Sequence, residues 1–179
     1  MVEHLNMNKK TRNLSLAALF TALAVISLYI AGTWPTGQLG LTAVASLFVT
    51  AAIIESGIIY GVYVYIVSSA MSMLIVPNRL APVLFILFFG FYPVIKSLIE
   101  QLGQKVLQIL LKLLVFNISF FIIYYIFSEL VNALVSFDLN IIIIFLIGNI
   151  VFLLFDYGYT KLIWFYINRI SNLIKKGNE

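Results

Sequence analysis

Two kinds of residue in this chain have the chemistry to hold a ligand. Trp34, Tyr124 and Tyr125 offer flat apolar faces with a polar edge. Arg79 carries a planar cation suited to a carboxylate or a phosphate. Aromatic walls with a few polar groups are what a small ring-bearing solute needs. A blander reading stays open for each of them. Trp and Tyr also anchor helices at membrane interfaces, and Arg79 has Glu129, Asp138 or lipid headgroups as pairing partners.

Bond-breaking chemistry has little to stand on. The chain has no cysteine, and its only histidine, His4, precedes the first apolar run, which removes thiolate chemistry and most metal and general-base chemistry. No GxxxxGK[ST], HExxH or GxSxG pattern occurs, and carboxylates do not cluster along the chain. The expectation is a protein that is not an enzyme, with no catalytic residue, no metal and no cofactor of its own; any ATP would be hydrolysed by partner subunits.

The elements that must position these residues are membrane helices. The chain is 63% hydrophobic and 10% charged with a mean hydropathy of +1.08, against roughly 45–50% and 25% in soluble domains. This composition predicts an all-α integral membrane protein built as a six-helix bundle. A span needs about 20 apolar residues, and the segments that fit are 14–31, 39–55, 57–75, 82–95 continuing toward 102, 113–131 and 139–167. The first is too long for the ~7–15 residue core of a signal peptide, so it reads as a retained span. The organisation is therefore a tail over 1–13, a transmembrane domain over 14–167 and a second tail over 168–179.

The net charge of +4 is scattered at the ends of apolar segments, which speaks for topology and against nucleic acid as a partner. With six spans both termini share a side. That side collects Lys9, Lys10, Arg12, Lys96, Lys105, Lys112, Lys161, Arg169, Lys175 and Lys176, against Arg79 alone on the other. The positive-inside rule then makes both termini cytoplasmic in a multi-pass cell-membrane protein. Residues 96–112 read as an amphipathic link along the cytoplasmic interface or as a solvated hairpin end.

Polar groups inside spans are costly, so Asn117 and Asn149 are expected to face the bundle. Glu55 and Asp156 fall within reach of Lys96 or Lys161, as structural pairs or as a transport-linked proton site. Pro93, with Gly90 one turn earlier, predicts a kink in the fourth span.

The first helix carries small residues on two faces: Ser15, Ala18 and Ala22 on one, and Ala17, Thr21, Ala24 and Ala31 nearly opposite. Small residues let backbones approach in lipid, where water no longer drives apolar association. One stripe can pack inside its own bundle, while a second implies another neighbour.

A short basic tail, the stretch "KKTRNLSLAALFTALAVI", six spans within 179 residues and a Pro/Gly-bearing first outer loop resemble the substrate-binding S components of energy-coupling factor (ECF) vitamin transporters. The resemblance implies docking of an AxxxA pair, here Ala18 and Ala22, onto an ECF transmembrane coupling subunit driven by an ATPase pair. It also implies a small-molecule ligand near the extracellular helix ends under the first outer loop. By position, the candidates are Trp34, Gln38, Asn78, Arg79, Tyr124, Tyr125, Glu129 and Asn132. The alternative is a polytopic scaffold of the cell envelope, similar to rod-shape-determining membrane proteins, which would need docking faces and no ligand cavity.

Overall fold

The computed structural model describes the backbone of residues 2–126 and 141–171, and the side chains of these except 2–8, 35, 141, 170 and 171. Everything described is helix or short connection, with no strand among the described residues. Among the described residues six helical stretches are long and apolar enough to cross a membrane: Lys9–Thr33, Gln38–Ser56, Ile58–Ile75, Leu80–Ile99, Lys105–Ile126 and Ile142–Arg169. In lipid the backbone has no water to bond, so apolar segments satisfy it internally as helices. The chain is a multi-pass, all-α membrane protein.

Helix α1 (Val2–Thr33) is continuous from the polar N-terminal stretch into the first span. It stops where Trp34 turns extended (φ −116°, ψ 91°) ahead of Pro35, which opens a 3-10 turn, Pro35–Gly37. Helix α2 (Gln38–Ser56) follows. Gly57, at φ +100°, makes the tight reversal into α3 (Ile58–Ile75), a backbone state closed to most side chains. In the turn before the next helix the Asn78 Oδ1 accepts the Leu80 N–H at 2.9 Å.

The fourth span is broken, as Pro93 predicts. Helix α4 (Leu80–Leu84) passes into a π-turn, Phe85–Phe89, in which the Gly90 N–H reaches Phe85 O at 2.7 Å. Helix α5 (Tyr92–Ile99) then starts with Pro93 in its first turn, where no backbone donor is needed. Gly90 is required by close packing: a Cβ there would lie 2.7 Å from both Phe85 Cε1 and Tyr65 Cδ2. Gly90→Val should therefore cost about 1–3 kcal/mol by overpacking, read as a lowered unfolding midpoint in detergent; an unchanged midpoint would mean the broken helix absorbs the added side chain.

Helix α6 (Lys105–Ile126) and α7 (Ile141–Tyr166) complete the described bundle. The break between the fourth and fifth spans is only residues 100–104, all exposed, so of the two readings of 96–112 the short hairpin end stands and the amphipathic link is corrected. Lys96 lies in α5 and Lys112 two turns inside α6, and both are buried against Asp156 of α7 and Glu100 of the break between the spans.

Two cores hold the helices. Ala17, Phe20, Leu28, Ala45, Val49, Ala52 and Val64 join α1, α2 and α3. An aromatic seam, Phe88, Tyr92 and Phe152 with Phe116 and Phe155 against it, joins the fourth span to α6 and α7. The start of α1, the Gly57 turn, residues 100–104 and the end of α7 share one end of the bundle, here the near end. Residues 34–37 and 76–79 lie at the far end.

Candidate functional site

Tyr92, Lys96 and Glu100 recur every four residues, so α5 and the link after it present them on one stripe. Asp156 and Thr160 are likewise one turn apart on α7, and Lys112 enters from α6. The Lys96 ammonium, on a residue 1% exposed, donates to Asp156 Oδ1, to Thr160 Oγ1 at 2.8 Å and to Glu100 Oε1 at 2.8 Å. Lys112 Nζ reaches Glu100 Oε1 at 2.7 Å and Asp156 Oδ2 at 3.2 Å. The Tyr92 hydroxyl donates to Asp156 Oδ1 at 2.6 Å. Two ammoniums thus face two carboxylates, a balanced set at the near end. Burial would raise the Glu100 carboxyl, but hydrogen bonds from Lys112 and Lys96 outweigh it and hold the group below the usual carboxylate range.

Three smaller polar ties surround this cluster. The Tyr159 hydroxyl is buried between Ser46 and Thr50, 2.6 Å from Thr50 Oγ1 and donating to Ser46 O at 3.0 Å. Asn117 and Asn149 exchange reciprocal amide bonds of 2.8 and 3.0 Å between α6 and α7, so both face the bundle as expected. Tyr166 OH donates to Glu55 at 3.4 Å. Of the pairings anticipated for the two span carboxylates, Asp156 takes Lys96 and Glu55 takes a tyrosine, while Lys161 sits 5.6 Å over the Tyr157 ring.

At the far end the candidate ligand residues are spread out. Trp34 is 61% exposed and Tyr125 79% exposed, whereas the Tyr124 ring meets Phe145 edge-on. Arg79 donates from Nη1 to Met73 O at 2.6 Å, and the Asn78 side chain accepts from the Leu80 N–H. Gln38 is 6% exposed with its Nε2 lacking a partner. The last turn of α1 lies against the second far-end loop, since a Cβ on Gly32 would lie 3.6 Å from Asn78 O. Among the described residues no side-chain hydrogen bond joins any two of Trp34, Gln38, Asn78, Arg79, Tyr124 and Tyr125. Glu129 and Asn132 lie outside the described residues, as do Asp138 and the possible Arg79 pairings.

The two stripes of α1 are resolved. Ala17, Ala24 and Ala31 are buried and Ser15, Ala18 and Ala22 are exposed, but Thr21, expected on the face of Ala17, is half-buried at the edge of the open side. Ala18, Ala22 and Thr21 line one wall of a groove of about 540 Å³, with Tyr63, Val67 and Met71 of α3 opposite.

Sequence reasoning reached Asp156 but missed Tyr92, Tyr159 and the burial of Lys112. The Tyr92, Lys96, Glu100 spacing was the available signal, obscured because a hydropathy count does not say which way a lysine points. Comparison of the chain with known protein families, with characterised proteins and with solved structures finds no match.

Proposed function

We propose that the protein is the membrane-embedded substrate-binding subunit of an ATP-driven, ECF-type importer of a vitamin-like small molecule. The observation that carries this reading is the division of α1: one small-residue face is packed into the bundle, and the other, Ala18 and Ala22, is left open along an apolar groove. An open face of small residues is suited to close approach by a helix of another membrane protein. The six-span layout and the basic first tail support the same reading. The excess of basic residues toward the near end supports cytoplasmic termini in a cell-membrane protein, an orientation in which Trp34, Gln38 and the 76–79 loop face outward, where an imported solute arrives. The ATPase pair and coupling subunit are partners.

The test is co-purification of the tagged protein, in mild detergent, from cells that also express an ECF transmembrane subunit and its ATPases. Ala22→Trp fills the open face without entering the core. A lost contact of about 1.4 kcal/mol lowers recovery of the complex about tenfold, and folded monomer should remain. Equal recovery of the variant removes the docking assignment. No complex with either protein moves the weight to an envelope scaffold.

A further inference from the structure

The π-turn of the fourth span passes one hydrogen bond from the backbone to a side chain. In an α-helix the Gly90 N–H would bond the Ile86 carbonyl four residues back. Here it reaches one residue farther, to Phe85 O at 2.7 Å. The Ile86 carbonyl is taken instead by the Tyr65 hydroxyl of α3, which donates to it at 3.0 Å. The tyrosine is fitted to this place on two sides. Its ring lies 6.2 Å from that of the buried Phe85, and a Cβ on Gly90 would stand 2.7 Å from its Cδ2, so glycine at 90 leaves room for the ring.

A π-turn holds one residue more than the α-turn it replaces, and at 3.6 residues per turn one residue is a rotation of about 100°. Helix α5 resumes at once after it, with the Val94 and Ile95 N–H groups on Phe91 O at 3.0 and 3.1 Å. Its buried Tyr92 and Lys96 then meet Asp156 on α7. Wound as a plain α-helix from the same α4, the span would set each later residue where its successor now stands. Lys96 would take the bearing of half-buried Ser97, and exposed Leu98 that of buried Ile99. An unpaired ammonium in hydrocarbon costs more than an unpaired carbonyl, so the aim of the stripe takes precedence and the freed carbonyl needs a partner of its own. We infer that the π-turn is an aiming device latched by Tyr65: the extra residue points the α5 stripe at Asp156 and Lys112, and the Tyr65 hydroxyl makes the turn tenable in lipid by covering the carbonyl it frees. Tyr65 is thus a positioning residue that acts on the ionic cluster through the backbone of the fourth span. The inference rests on these bonds alone and holds for an importer or a scaffold.

The test removes the latch with and without the extra residue. Unfolding constants are measured in bicelles for Tyr65→Phe, for the chain lacking Leu87, which is half-buried within the turn, and for the two changes together. In the full-length chain Tyr65→Phe leaves the Ile86 carbonyl bare and should raise the unfolding constant about tenfold. One residue shorter, the segment winds as an α-helix with α5 on its present bearing: the bond from Gly90 to Phe85 becomes an ordinary α bond and the Ile86 carbonyl meets the Phe91 N–H. There the same substitution should change the constant by about twofold at most, since the carbonyl is already paired. Equal effects in the two backgrounds, or a shortened chain that does not fold, overturn the device. Asp156→Asn, introduced into both chains, should raise the constant by the same factor in each, because the stripe still faces α7. A clearly smaller factor in the shortened chain would overturn the π-turn as what sets the aim.

Discussion

Replacing Asp156 with alanine should destabilise the folded protein by about 3–5 kcal/mol, the usual cost of leaving one buried charge without its partner. Lys96 is buried to 1% exposure, and the variant leaves Glu100 to balance two ammoniums while the Tyr92 hydroxyl loses its acceptor. The measurement is reversible unfolding in bicelles, with the Lys96→Met, Asp156→Leu double variant beside it. Removing both charges should restore most of the loss, because a buried pair contributes little over a well-packed apolar substitute. A single-variant loss below about 1 kcal/mol, the range of exposed pairs, would mean that the Lys96 stem carries its ammonium out to water past Ile99.

The second large effect belongs to the aromatic seam. Phe152 is buried with its ring stacked on Phe116 at 4.6 Å and set edge-on to Tyr92 at 5.6 Å and Phe88 at 6.0 Å. In a water-soluble core, Phe→Ala costs about 3–5 kcal/mol, part of it transfer from water. In a membrane the unfolded helix keeps its Phe in lipid, so that part falls away and the lost packing remains. We expect about 2–3 kcal/mol for Phe152→Ala and almost nothing for the exposed Phe165→Ala under the same unfolding conditions. Equal losses at the two positions would dissolve the seam as a distinct core.

Much of the architecture was legible because membrane helices are written in composition. Six spans, the break at Pro93, the inward amides of Asn117 and Asn149 and the pairing of Asp156 with Lys96 all follow from what lipid forbids. The reading failed where a long-range partner decides. Lys112 looks interfacial until Glu100 and Asp156 are seen beside it, and Tyr159 looks like a belt tyrosine until Ser46 and Thr50 enclose its hydroxyl. The small-residue faces of α1 were visible in the sequence, but which one was packed depended on where α2 and α3 lie. The far-end aromatics follow no periodic rule, and Trp34, Tyr124 and Tyr125 end in three different surroundings.

The span carrying Lys96 also faces a problem of timing during synthesis. Asp156 is 60 residues farther along the chain, which at about 5–20 residues per second is a delay of about 3–12 s. An ammonium entering the bilayer in that interval has no access to α7. Glu100, one helical turn later and 2.8 Å away in the finished protein, is the acid that emerges with it. The fourth span is thus made with a counter-ion of its own, and insertion through the translocon can proceed before the last helix brings the second carboxylate.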